Sequence, residues 1–246
     1  KERRSLSNNT VRAIINSLEV ANEEPIVGNV QNATAAEIKR RVYDTFPTQN
    51  RAVTQADYEN LAYRMPAKFG SIKRTSVQRD PSSRKRNLNM YVMSTDPFGK
   101  LIATNDTIKN NLKTWINNFR MINDTVDIID PYIINLGINF AARIKIGADK
   151  YSVLGAAVSQ LKKQYSEHFY IGEQLSITDI YQELKKVDGI LDVTNVQVIN
   201  KTGTNYSSVS LDINKNLSPD GTYIMVPKNA ILEIKYPATD IIGKIK

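Results

Sequence analysis

The run from Ile134 to Lys145 constrains this chain more than any other stretch. Ile134, Leu136, Ile138, Phe140, Ala142 and Ile144 alternate with Asn135, Gly137, Asn139, Ala141, Arg143 and Lys145. A period of two over that length is the pattern of a long, half-buried β-strand, since successive side chains on a strand point to opposite faces. Such a strand needs neighbours and a cover. Leu154, Val158, Leu161 and Tyr165 fall on one helical face downstream, and Ser176 with Asp179 forms a cap for a second helix. That helix buries Ile180, Tyr181, Leu184 and Val187 and closes at Asp188-Gly189. Ile190–Ile199 and Ala230–Tyr236 read as further strands. Between them, residues 200–229 are rich in Asn, Ser, Thr, Gly and Pro, with short apolar pieces at Val209–Leu211 and Tyr223–Val226 that suit loops and brief hairpin strands.

A second grouping precedes Asp130-Pro131, where the pattern breaks. Thr54 lies three residues before Asp57, so its hydroxyl can accept from a free helix amide while the carboxylate reaches back to the cap. Tyr58, Leu61, Ala62 and Met65 then form one apolar face until Pro66. Ile72–Gln78 and Leu88–Ser94 pair as a hairpin around a basic turn, and a helix beginning at Thr104 places Ile108, Leu112, Trp115, Ile116 and Phe119 on one side. Trp115 therefore reads as a core anchor. Val126, Ile128 and Ile129 add a strand. The expected fold class is α+β, with two small sandwich modules. Residues 51–130 run helix, strand, strand, helix, strand, and residues 131–246 run strand, helix, helix, strand, strand. Residues 1–50 form a basic arm and a leading helix capped by Thr34 and Glu37, with Ile38, Val42, Tyr43 and Phe46 on its apolar face. No sequence repeat links the two modules.

Composition narrows the chemistry. The 246 residues contain no cysteine and a single histidine, which removes disulfides, thiolate nucleophiles, cysteine-ligated metals and paired-histidine sites. His168 follows a helix in a polar stretch and reads as a helix-end residue. No phosphate-binding glycine loop, zinc-protease helix or nucleophile elbow occurs. Asp124 with Asp127, and Glu23 with Glu24, are near pairs of the kind that support acid/base work, but Asp127 and Asp130 suit turn and cap positions better. No catalytic residue, cofactor or metal is expected. No apolar run approaches the roughly 20 residues that span a bilayer, so no membrane role is expected. Tyrosines scattered through both modules suit protein contact surfaces as well as core edges.

The net charge of +8 raises the question of nucleic acid. Its densest source is Arg79 to Arg86, where Asp80-Pro81-Ser82-Ser83 makes a turn and Arg84, Lys85 and Arg86 follow. These three are the candidate interface residues. A nucleic-acid-binding module built on that turn is the alternative reading, weakened because no series of aromatic rings interleaves with the basic residues.

The string Arg51-Ala52-Val53-Thr54, followed by Asp57-Tyr58-Glu59 and Leu61-Ala62, resembles the signature of the baseplate J-like family, which builds the baseplates of contractile phage tails and related injection machines. Upstream, Pro25-Ile26-Val27-Gly28-Asn29 and Thr34-Ala35-Ala36-Glu37-Ile38 resemble that family's glycine turn and acidic helix, with Asn29 where a second glycine is more usual. The resemblance runs through most of the chain and marks Arg51, Thr54, Asp57, Tyr58 and Leu61 as signature residues with a structural role. It implies a non-enzymatic late virion protein located in the tail baseplate and assembled in the host cytoplasm. Its implied partners are itself, as a homodimer within a ring around the central hub, and other baseplate wedge proteins. The chain opens on Lys1 rather than Met, as expected of the C-terminal part of a longer protein.

Overall fold

The computed structural model describes residues 51–83, 87–96, 98–165 and 169–245, with Ala35, Ile38, Lys39 and Val42 as isolated helical positions. The arm of residues 1–24, most of the leading helix, the basic triplet Arg84, Lys85 and Arg86, and His168 lie outside the described residues. Ile38 and Val42 are exposed.

Helix α1 (Gln55–Tyr63) leads to strands β1 (Arg74–Arg79), β2 (Asn87–Thr95) and β3 (Leu101–Ala103), then helix α2 (Asp106–Asn117) and strand β4 (Thr125–Ile129). β2 is the hub of this sheet. It pairs antiparallel with β1 along one edge, while its other edge is shared by β3 at the C-terminal half and by parallel β4 at the N-terminal half. The alternation read from the sequence explains the layering. Met90 and Val92 face the helices and pack with Tyr58, Leu61, Leu112, Ile116 and Val126, whereas Met93, equally buried, belongs to a different cluster with Leu101, Ile171 and Ile231.

The remaining chain is built on β5 (Tyr132–Ile144), as the period-two run requires. Helices α3 (Lys150–Gln164) and α4 (Ile177–Lys185) cover it, with β6 (Leu175–Ser176) between them and β7 (Ile190–Asn200) after them. The chain then continues through α5 (Ile213–Asn216), β8 (Tyr223–Ile224), β9 (Ala230–Glu233), α6 (Pro237–Asp240) and β10 (Ile241–Ile245). β7 lies antiparallel on one side of β5 with two register shifts. On the other side β9 and β10 run parallel to it, end to end, at Tyr132–Asn135 and at Ile138–Ala142. The fold class is α+β, as expected.

Several local expectations change. The second helix begins at Asp106, because Asn105 rather than Thr104 caps it by accepting from Thr107 N. Thr104 is instead buried, its hydroxyl 3.1 Å from that of Ser94. The last expected strand stops at Glu233, since Pro237 starts a helical turn that redirects the chain into β10. β5 is half-buried only in its distal part, because Asn135 and Gly137 are also covered. Helix α3 turns Val153, Ala157 and Leu161 inward, leaving Leu154, Val158 and Tyr165 at the flanks. Leu154 lies instead against β10, where a Cβ on Gly243 would strike both it and the Phe140 ring. Val209–Leu211 forms no strand. Leu211 is held by Asn200, whose amide group donates to Leu211 O and accepts from Leu211 N, so one side chain replaces a strand partner.

Candidate functional site

The signature segment occupies a corner where three parts of the first sheet meet. Ala52 is fully buried and donates to Phe119 O at 3.0 Å, fastening the chain to the end of α2. Two residues on, the capping box forms in both directions. Thr54 Oγ1 accepts from Asp57 N at 3.2 Å, and Asp57 Oδ2 accepts from Thr54 N at 2.8 Å and from Val53 N at 3.0 Å. One carboxylate thus fixes two amides of the turn ahead of the helix. A cap of this kind contributes about 1 kcal/mol.

Below the cap, the signature side chains enter the core. Leu61 packs there, and its carbonyl accepts from Trp115 Nε1 at 2.9 Å, which ties α2 to α1 and gives Trp115 an anchoring role. Tyr58 is buried, and its hydroxyl donates to Asp124 Oδ2 at 2.9 Å while accepting from Met121 N at 3.3 Å. Burial pushes the Tyr58 phenol up to about 12; Met121 N works against that rise and the Asp124 carboxylate adds to it. Arg51 is exposed at the start of the segment.

These residues enclose a cleft of about 400 Å³ lined by Val53, Thr54, Gln55, Tyr58, Arg79, Leu88 and Asp124. The first four belong to the signature segment. Arg79 and Leu88 flank the basic turn, so the two groups of residues singled out in the sequence converge on one depression. Val53 of the lining is 58% exposed, and in the turn before Asp124 Met121 is 40% and Ile122 95% exposed. Sequence reasoning weighed Asp124 only as a near pair with Asp127, not as the partner of Tyr58, and missed Met121 and Ile122. An isoleucine among polar residues at a turn was the only available signal.

The corner offers little for catalysis. Asp124 accepts from Tyr58, Asp57 closes the cap, and Asp127 accepts from Asn87 Nδ2 at 2.9 Å. Asp130 bridges Thr104 N and Lys109 Nζ, which joins the end of β4 to the start of α2 and raises the Lys109 ammonium. Asp80 accepts from the Ser82 hydroxyl and amide, which hold its carboxyl below the usual range. Among the described residues no group of three or more His, Cys, Asp or Glu side chains could hold a metal ion, and no helix is long and apolar enough to cross a membrane.

No family model matches the sequence, and no curated protein matches it. Among solved structures, the chain is similar to one described as "Cryo-EM structure of the anti-feeding prophage (AFP) baseplate, 6-fold symmetrised", with 13% identity and a TM-score of 0.48 over 82% of this chain and 41% of that one. This chain therefore spans about two-fifths of the length of the chain it matches, and an overlap that loose identifies no family.

Proposed function

We propose that this chain is a structural subunit of a contractile phage tail baseplate wedge, self-associating and binding other wedge proteins in the ring around the hub. The observation that carries the reading is the Arg51–Ala62 segment, whose sequence resembles the baseplate J-like signature. Beyond that family, the chain resembles the inner-ring wedge protein of T-even-type phages. The corner's chemistry agrees with an assembly role, because its carboxylates accept internal hydrogen bonds while the apolar Val53 of its lining is exposed.

Mass spectrometry of purified contractile particles tests the location. The chain should be present, and particles made without it should lack completed baseplates in electron micrographs. Complete baseplates formed without the chain overturn the reading. Self-association is tested separately by sedimentation: a dimer is expected in the high-micromolar range, and a clean monomer there removes that part.

A further inference from the structure

We propose that β10 is a self-pairing edge, through which two copies of this chain join antiparallel about a two-fold axis at Gly243. This rests on the self-association in the assembly reading and assigns it a surface. β10 pairs with β5 alone, so its far side is an edge of the second sheet. The pairing fixes which backbone groups stand along that edge. Val196 N donates to Tyr181 Oη, away from β5, so the opposite residue Phe140 turns its own amide and carbonyl from β7 toward β10. In a parallel pair those groups bond the neighbours of the residue opposite, which is Gly243. Ile241, Gly243 and Ile245 are thereby left with amides and carbonyls directed outward, and among the described residues none of these amides has a partner. The other edges are occupied: Tyr63 and Glu59 take amides of β1, Tyr181 takes one of β7, and Gly172 N donates to Ala230 O of β9 at 2.8 Å.

The strand's own sequence selects a second copy as the occupant. An antiparallel register centred on Gly243 sets Ile241 opposite the partner's Ile245 and Gly243 opposite the partner's Gly243. Every outward residue then falls in a directly bonded pair that exchanges both N–H···O bonds. Under α3 the isoleucines meet each other. On the opposite face the exposed Ile242 stands across from the partner's Lys244, so the strand's single charge opposes an aliphatic side chain and never its own copy. Such an interface is isologous, with one patch serving both copies. A strand of five residues does not by itself reach the roughly 1,200 to 2,000 Å² of a stable interface, and α3 adds to it. α3 lies over β10 and α4 over β7. On the flank of α3 toward α4, Gln160 Nε2 donates to Glu183 Oε2 at 2.9 Å. The other flank stands above the open edge and carries the half-buried Leu154 and Val158 with Tyr151, 82% exposed. The two-fold axis brings this flank toward its copy, and covering those apolar side chains strengthens the pairing.

The register supplies the test. Ile242→Lys sets a lysine against the partner's Lys244 on both sides of the axis and should raise the dimer dissociation constant about tenfold in sedimentation. Adding Lys244→Glu turns each repulsion into an ion pair and should restore the parent's affinity. Both side chains are exposed, so both variants should unfold like the parent. Because the chain has no cysteine, proximity can be read separately. An equimolar mixture of Ile242→Cys and Lys244→Cys chains should form a disulfide-linked pair on mild oxidation, and each variant alone should form far less. A dimer insensitive to Ile242→Lys, no rescue by Lys244→Glu, or no more linkage in the mixture than in its components overturns the proposal while self-association stands. A clean monomer at high-micromolar concentration overturns both. In assembled particles, a photo-crosslinking benzoylphenylalanine at Lys244 should capture residues 241–245 of a second copy, and an adduct with a different protein overturns the proposal. Absence of the chain from the particle sinks the baseplate location instead, and the measurements on the purified chain still decide the edge.

Discussion

Tyr58 holds the corner together, and its titration reports on that directly. Its phenol stands at about 12 in the folded chain, chiefly through burial, against about 10 in an unfolded chain. Below pH 10 both states keep the proton, so the contribution is fully present. Between about pH 10 and 12 the unfolded chain ionises and the folded one does not, so stability falls by about 1.4 kcal/mol per pH unit over that window. Tyr58→Phe should flatten the decline by that amount, measured by denaturant unfolding at intervals from pH 9 to 12. Tyr165, raised by burial and then by Asp179, Glu183 and Glu173, keeps its own share of the slope in both proteins. Equal slopes for parent and variant would contradict the assignment. Near neutrality the variant should still be less stable by about 1 to 3 kcal/mol, because Asp124 and Met121 N lose the hydroxyl. This contact also marks where sequence reading runs out at the scale of residues. Thr54 and Asp57 are three positions apart, and their cap follows from spacing alone; Tyr58 and Asp124 are 66 apart, and only the fold brings them together.

At the scale of elements, what was legible followed period and capping. The long strand, the two hairpin strands and the helices starting after Thr54 and Ser176 all carry local signals strong enough to survive folding. β3 and β10 were not legible. β3 has three residues, and β10 exists because α6 turns the chain back alongside β5. Nor does sequence show how an open strand edge is managed. β1 pairs with β2 alone, yet two of its outward amides are occupied: Thr75 N donates to Tyr63 Oη at 3.0 Å and Val77 N to Glu59 Oε1 at 2.8 Å, both from α1. The second sheet repeats the device, with Val196 N of edge strand β7 donating to Tyr181 Oη of α4 at 3.0 Å. Unpaired edge amides invite pairing with other chains. Glu59→Ala should therefore speed hydrogen exchange at Val77 while leaving Val196 unchanged, and should raise concentration-dependent aggregation. Unaltered exchange at Val77 would show that another group protects it.

Across the whole molecule, the two sheets meet through a cluster that the sequence left unread. Met93 and Leu101 from the first sheet pack with Ile171 and Ile231, and the buried Arg74 lies 4.4 Å from the Tyr170 ring while its Nε donates to Phe169 O at 3.2 Å. Glu233 bridges the same junction. Its Oε1 accepts from Leu101 N at 2.9 Å and its Oε2 from Asn135 Nδ2 at 2.8 Å, with the side chain 3% exposed. Alternation along β5 made Asn135 look like a solvent-facing residue, but its Oδ1 accepts from Ser207 N at 2.7 Å beneath a long loop. Glu233→Ala strips acceptors from a backbone amide and from the Asn135 side chain, and a loss of about 3 kcal/mol is expected for leaving those buried donors unsatisfied. Glu233→Gln separates hydrogen bonding from volume. Glutamine keeps one acceptor oxygen, so its NH2 must face either Leu101 N or Asn135 Nδ2, both donors. Flipping Asn135 would relieve the second clash only by taking the acceptor from Ser207 N. The glutamine variant should therefore recover part of the alanine loss and no more, read from denaturant midpoints. If this junction couples the sheets, Glu233→Ala should also broaden or split a single calorimetric transition. A variant that unfolds in one transition with the parent's midpoint would show that the apolar cluster alone joins the two halves.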